Sequence, residues 1–370
     1  MCCYSDDVDG TIQIQQPLSV ADSEKLLYHK VFHNERCPPQ LKGISQKILK
    51  RCGGLPLAII TIASLFANRQ TQTEDHWNSV CSSFHTGLES STDVKDMRWI
   101  ISLSYCDMPS PLKTCFMYLS IFPEDYIIDR DDLIWRWIAE GFIQPKQGTI
   151  LYEKGERYFD ELINRNLIQP ICIDVHAEAQ ACRVHDTILE FIAGLSIEEN
   201  FVAILNGQCS VSDLPKRIYR LSLQNSKDDI TIPDATERFS HVRSLWQGID
   251  LKMPLSGFRV LRALDLGDCS SQNIDNIGNL VHLRYLRLHG THYNKLPKEI
   301  GNLRFLQTLD IKQTRIKELP STVVHLTQLM RLMVDRWTKL PNGIGNMECL
   351  EQLSEIDTSM YPSLMKELSD

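Results

Sequence analysis

The chain is 370 residues long, with 39 Lys and Arg against 47 Asp and Glu, a formal net charge of −8. That length holds two or three domains with sizeable cores, and the acidic balance argues against a general binder of nucleic acid or membrane surfaces. The most apolar run, LAIITIASLFA from Leu57 to Ala67, is much too short to span a bilayer, and the opening MCCYSDDVDG is unlike a secretory signal, so a soluble, cytoplasmic protein without an integral membrane segment is expected.

Helical periodicity fills the first half of the chain. Asp22–Phe32, Gln40–Arg51 and Pro56–Ala67 read as three helices, the last with Pro56 in its first turn, where a missing N–H costs nothing. A fourth begins in TQTEDHWNSV, with Trp77 and Val80 facing inward. Met97–Ser104, Pro111–Ile121, Asp131–Glu140 and Tyr152–Asn164 continue the pattern between Pro and Gly signals. Phe116, Tyr118, Leu119 and Phe122 form an apolar stripe of the kind that packs a core. The acids Asp129, Asp131 and Asp132 suit a helix start better than acid–base catalysis.

Twelve cysteines contain no Cys-x-x-Cys pair. Cys2, Cys3, Cys52, Cys106, Cys115, Cys172 and Cys182 are read as lying in apolar segments, as small buried hydrophobes do. His29 and His33 are four apart on a helix but lack an acidic partner of the zinc-protease kind, so no metal is expected.

Leu167–Ile173 and Ala181–Val184 read as two strands around the turn HAEAQ, and helices followed by such a hairpin form a winged-helix arrangement. The hairpin runs into ACRVHDTILEFI, where Ile188, Leu189, Ile192 and Leu195 repeat with helical spacing. Asp186 is the expected N-cap of that helix. His185 then stands beside a helix N-terminus, a place that favours an anion such as phosphate. A capping Asp beside a surface His accounts for the same residues without any ligand.

Beyond Gly207–Leu214 the pattern changes to repeats. Leu283-x-x-Leu286-x-Leu288 returns as Leu306-x-x-Leu309-x-Ile311 and Leu329-x-x-Leu332-x-Val334, and upstream as Leu261-x-x-Leu264-x-Leu266. The central leucines fall at 221, 245, 264, 286, 309 and 332, the spacing of leucine-rich repeats. In phase with them run Leu296-Pro297 with Ile300-Gly301, Leu319-Pro320 with Val323, and Leu340-Pro341 with Ile344-Gly345. A curved stack of short parallel strands is predicted from about Ile218 onward. Leu286, Leu309 and Leu332 should be buried. Tyr285, Arg287, His289, Thr308, Asp310, Lys312, Arg331, Met333 and Asp335 should point outward, with Arg287 and Asp310 exposed.

CGGLPLA (Cys52–Ala58), CFMYLSIFPEDY (Cys115–Tyr126), LIWRWIAEGFI (Leu133–Ile143) and RVHD (Arg183–Asp186) occur in this order ahead of the repeats. Together they resemble the ordered signatures of plant NB-ARC leucine-rich-repeat disease-resistance proteins of the coiled-coil class. The resemblance implies a multidomain fold: an α-helical ARC bundle in 1–90, a winged-helix domain in 91–206, and an incomplete α/β leucine-rich-repeat solenoid in 207–370. It implies an ADP/ATP-dependent switch in plant innate immunity rather than an enzyme. The adenine would pack on Gly54, Leu55, Pro56 and Leu57, His185 would contact the ADP β-phosphate, and Asp186 would brace that turn. Val184 stands where the family often has Met, a volume-tolerant change. Protein partners, a pathogen effector or a guarded host protein, would engage the repeats.

The sequence departs from the family in one large respect. No Gly-x-x-x-x-Gly-Lys followed by Ser or Thr occurs among the 370 residues, so the loop that cradles phosphate is missing from them. The expectation is a truncated family member that neither binds ADP or ATP by itself nor hydrolyses it. The alternative is a nucleotide-independent interaction module acting through its repeat face. DNA binding by the winged helix is disfavoured, since Pro111–Pro170 carries seven basic residues against ten acidic ones.

Overall fold

The computed structural model describes residues 17–33, 36–67, 73–83, 93–145, 150–175, 178–205, 214–215, 217–224, 239–248, 255–267, 269, 274 and 276–357. The chain forms two compact units, 1–107 with 164–166, and 108–163 with 167–370.

The first unit holds five described helices: α1 (Val20–Phe32), α2 (Pro39–Cys52), α3 (Pro56–Phe66), α4 (Glu74–Ser83) and α5 (Asp93–Cys106). Ser19 caps α1 by accepting from the Asp22 N–H at 3.2 Å, which satisfies one of the donors that a helix start leaves open. Leu41, Ile44, Ile48, Leu49 and Cys52 form the buried stripe of α2, and Ala58, Ile59, Ile62, Ala63 and Phe66 that of α3. Trp77 closes the bundle, with its ring stacked on Phe66 at 4.1 Å between centroids. Val80 is only half-buried.

The second unit begins with α6 (Ser110–Tyr118), which tightens into a 3₁₀ turn at Leu119–Ile121. Then come β1 (Ile128–Asp129), α7 (Arg130–Glu140), α8 (Leu151–Asn164), β2 (Gln169–Ile173), β3 (Ala179–Arg183) and α9 (Asp186–Glu198). The stripe Phe116, Tyr118, Leu119 and Phe122 is core, and a buried Ser120–Ser196 hydroxyl pair at 2.8 Å ties the 3₁₀ turn to α9. The hairpin β2–β3 is joined by β1, antiparallel to β3, in a three-stranded sheet. Cys106 and Cys172 are exposed, against expectation, while Cys52, Cys115 and Cys182 are buried. Cys2 and Cys3 lie outside the described residues. The two exposed thiols sit at the last residue of α5 and on edge strand β2, places where an apolar sequence neighbourhood does not ensure cover.

Eight parallel strands follow: β4 (Ala203–Leu205), β5 (Arg220–Leu223), β6 (Ser244–Gln247), β7 (Ala263–Asp265), β8 (Tyr285–Arg287), β9 (Thr308–Asp310), β10 (Arg331–Met333) and β11 (Gln352–Leu353). The repeat leucines are register partners in one line: Leu221, Leu245, Leu264, Leu286, Leu309, Leu332 and Leu353. The first six are fully or almost fully buried. Each such leucine contributes roughly 1.5–3 kcal/mol by leaving water. The Leu-Pro pairs open 3₁₀ return turns at Lys298–Asn302 and Ser321–His325. Gly301 follows from packing, because a Cβ there would stand 2.7 Å from the Thr322 carbonyl oxygen of the next repeat.

Candidate functional site

The two sequence-derived site segments lie in different units. In the first, α2 ends on Gly53 and the chain turns through Gly54, both with positive φ (58° and 73°). Leu18 donates its N–H to the Gly54 carbonyl at 2.9 Å. A Cβ on Gly54 would come within 2.6 Å of the Leu18 carbonyl oxygen, so only glycine fits both the conformation and the close approach. Leu55 is the extended N-cap of α3 and Pro56 its first residue. The Pro56 ring is exposed, with Leu55 and Leu57 half-buried beside it, which leaves an apolar rim. A cleft of about 530 Å³ is lined by Gly53, Gly54 and parts of α1 and α2, but not by Leu55, Pro56 or Leu57.

In the second unit β3 leads through buried Val184 into α9. Here the expected cap is corrected. His185, not Asp186, is the N-cap: it is extended (φ −68°, ψ 140°), and its Nδ1 accepts from the Thr187 N–H at 3.2 Å. Its carbonyl accepts from the N–H groups of Ile188 and Leu189 at 2.8 and 2.9 Å. The imidazole can serve as the acceptor that a carboxylate was expected to supply, so Asp186 is left exposed as the first helical residue. Since Nδ1 accepts, the ring proton belongs on Nε2, which remains a single donor on a half-buried ring.

A third constellation was not foreseen. Helix α7 is buried on every side, including Arg136 and Glu140, because it packs against one face of the eight-stranded sheet. Asp129 caps it by accepting from the Asp132 N–H at 3.0 Å. Arg136 pairs with Asp265, and its guanidinium lies 4.9 Å from the Tyr285 ring centroid. Asp132 receives Arg331 at 2.5 Å and Arg287 at 3.3 Å. Glu140 receives Arg220 at 2.9 Å and the Ser244 hydroxyl. Trp135 and Arg331 both donate to the Gln352 side-chain oxygen, at 3.2 and 2.9 Å. Burial pushes the Asp132 and Asp265 carboxyls up, but the arginines outweigh it and hold both below the usual carboxylate range. Arg287 and Asp310, expected exposed, are therefore buried, as are Tyr285, Thr308, Arg331 and Met333. The alternation along each strand is as expected; a helix covers the face that was assigned to solvent. The readable signal was LIWRWIAEGFI itself, whose Leu, Ile and Trp residues at 133, 134, 135, 137 and 138 spread well beyond a single stripe of the helix.

Among the described residues no group of three or more His, Cys, Asp or Glu is placed to hold a metal ion. None of the described helices is long and apolar enough to cross a membrane.

A winged helix with one helix seated on a leucine-rich-repeat sheet defines a two-module class of protein. Two family models match it in that order, a disease resistance protein winged helix domain over residues 121–192 and a leucine-rich repeat region over residues 241–370. Disease resistance protein RGA5 of Oryza sativa subsp. japonica is 35% identical over 367 residues, covering 96% of this chain and 32% of that protein. Disease resistance protein Pik-2 of the same rice is 34% identical over 296 residues, 78% of this chain and 29% of its own length. Putative disease resistance RPP13-like protein 3 of Arabidopsis thaliana is 30% identical over 381 residues, 99% of this chain and 44% of that one. The homologues of this chain are thus plant NB-ARC disease-resistance proteins, and it spans less than half the length of each of these three.

Proposed function

We propose that this chain is the regulatory and repeat-bearing part of a plant immune receptor of the ADP/ATP-switch kind, divided at about residues 90 and 206 into helical, winged-helix and repeat regions. The observation that carries the reading is His185. Its Nδ1 is engaged by the Thr187 N–H at 3.2 Å, so the ring is held with its remaining nitrogen available as a donor. That arrangement suits a nucleotide phosphate oxygen. Leu55, Pro56 and Leu57 offer an apolar rim suited to an adenine. When bound, ADP would supply negative charge that rewards a converging set of donors. A phosphate needs several such donors, and one imidazole beside a helix N-terminus gives only part of the set. The 370 residues contain no glycine-rich phosphate loop to complete it. By itself, therefore, this chain does not hold ADP or ATP at physiological concentration and has no ATPase activity.

The packing of α7 on the repeat sheet supports the regulatory part of this reading. A nucleotide-independent module acting through the sheet face loses its surface, since Tyr285, Arg287, Thr308, Asp310, Arg331 and Met333 are buried. The partners of the repeats, a pathogen effector or a host protein, must be met elsewhere, and DNA is not among them. The test joins this chain to a phosphate-loop half taken from a relative. ADP retention is then measured alongside cell death on expression in leaves. His185→Ala or Asp186→Ala should shed ADP faster and trigger death without a pathogen. A His185→Ala fusion that stays ADP-locked and silent would refute the assignment.

A further inference from the structure

After β8, β9 and β10 the chain runs out to a Leu-Pro pair, through THYNKLP (Thr291–Pro297), TRIKELP (Thr314–Pro320) and DRWTKLP (Asp335–Pro341). These three stretches are stacked on one another by backbone hydrogen bonds. The Arg315 N–H donates to the Tyr293 carbonyl at 2.9 Å, the Lys339 N–H to the Lys317 carbonyl at 2.8 Å, and the Leu319 N–H to the Lys339 carbonyl at 2.9 Å. Neighbouring stretches therefore lie about 4.8 Å apart, as paired strands do. Ile316, Leu319, Thr338 and Leu340 are buried between them and the repeat core. Lys295, Arg315, Lys317, Arg336, Trp337 and Lys339 are exposed and form one outer face.

The charge of this face is opposite to that of the chain. Across the three stretches stand five Lys and Arg against two Asp and Glu, in a chain with a net charge of −8. Both acids are already engaged. Glu318 is held by Lys339 at 3.2 Å, and half-buried Asp335 accepts from the Gln313 N–H at 2.8 Å. Among the described residues Lys295, Arg315, Lys317 and Arg336 form no ion pair. Clustered like charges destabilise a fold, so the positive charge here does not serve the packing of the repeats.

Beside these cations stands an indole. Trp337 is 66% exposed, with the Arg336 guanidinium 5.5 Å from its ring centroid. Of the six tryptophans in the chain it alone is exposed. An outward Trp ringed by Lys and Arg is the combination that suits the membrane–water boundary. The ring keeps its apolar body in the headgroup layer and its N–H in water, and the cations draw anionic headgroups. A folded acidic partner would present fixed carboxylates, which reward Arg forks held in place. Three of the five cations here are Lys, point charges on flexible stems, and mobile headgroups can move to meet them. The acidic balance of the whole chain opposes general attraction to such a surface and confines contact to this face.

We propose that this face of the repeats docks on an anionic lipid bilayer, with Trp337 seated among the headgroups and Lys295, Arg315, Lys317 and Arg336 facing their charges. The inference uses the repeats alone and stands or falls separately from the nucleotide switch.

Sucrose-loaded vesicles of phosphatidylcholine, with and without phosphatidylserine, test it by co-sedimentation with the full chain. Binding is expected to the mixed vesicles only, and raised salt should weaken it. The variant Arg315→Gln, Lys317→Gln, Arg336→Gln removes three charges, each worth about fivefold near an anionic surface, and should partition at least about tenfold more weakly. If its thermal melt shows that it fails to fold, Arg315→Gln alone should still weaken partitioning about threefold. Brominated phosphatidylcholine in the mixed vesicles should quench part of the tryptophan fluorescence of the native chain and none of it in Trp337→Phe. Wild-type partitioning of the folded triple variant overturns the proposal, and so does equal quenching in the native chain and Trp337→Phe. Binding of a polyglutamate peptide without binding of the mixed vesicles also overturns it, and would mark a site for an acidic protein instead.

Discussion

Two sets of arginines stand one or three register positions apart on the same stack of strands, and they meet opposite fates. Arg287 and Arg331 lie within strands, on the face that α7 covers, and are buried against Asp132. Arg262 and Arg284 lie just before β7 and β8, on the flank, half-buried, and neither forms an ion pair among the described residues. Alternation along a strand sends neighbours to different surfaces, so a shift of one position, or of three, decides whether a guanidinium joins a buried network or stays on the flank. The first surface serves cohesion, since every charge there needs its partner.

The contrast breaks most readily at the buried network. Asp265→Ala would leave Arg136 and Arg287 facing each other without their shared carboxylate, and the expected loss is about 3–5 kcal/mol in urea unfolding. Next in size, Leu309→Ala should cost roughly 2–5 kcal/mol by opening a cavity in the repeat core. Lys312→Ala, half-buried beside the strand, should stay within about 0.5 kcal/mol. Equal losses for the two would show that the register is misplaced.

A smaller effect is expected at His289, whose Nδ1 lies 3.4 Å from Asp310. The Asp310 hydrogen bond raises its imidazole above the ordinary 6.5. A raised folded-state value contributes stability that is fully present below the unfolded value and is lost as pH rises through the folded one. Melting temperature should therefore fall between about pH 6.5 and the raised value more steeply in the native chain than in His289→Gln. The smallest effect belongs to the flank: Arg262→Gln should shift stability by no more than about 0.5 kcal/mol, toward stabilisation, because it relieves like-charge repulsion. A loss of several kcal/mol there would mean that the flank arginines are structural.

Much of the architecture was legible because it is periodic. Leucines recurring through 221, 245, 264, 286, 309 and 332 place one side chain per repeat in the core, and all six are register partners. Helix starts at Pro56 and beyond His185 were readable from local chemistry. The end strands β4 and β11 were not, since neither carries the full Leu-x-x-Leu-x-Leu pattern that marks the strands of the central repeats. Local patterning pointed to Asp186 as the cap of α9, and the extended backbone of His185, whose Nδ1 accepts from the Thr187 N–H, overturns that expectation. The covered sheet face was hidden for a different reason. Arg136 meets Asp265 across 129 positions of sequence and Asp132 meets Arg331 across 199, and no local pattern encodes such a pairing.

A double-mutant cycle on Asp132 and Arg331 in the full chain tests the seating of α7 on the repeat sheet most directly, because the two residues belong to different modules and touch only if α7 lies there. With Asp132→Ala, Arg331→Ala and the combined variant measured by urea unfolding, a coupling of at least about 1.5 kcal/mol is expected, as for close charge pairs across interfaces. Losses that simply add, to within about 0.3 kcal/mol, are the behaviour of distant, independent sites and would contradict it.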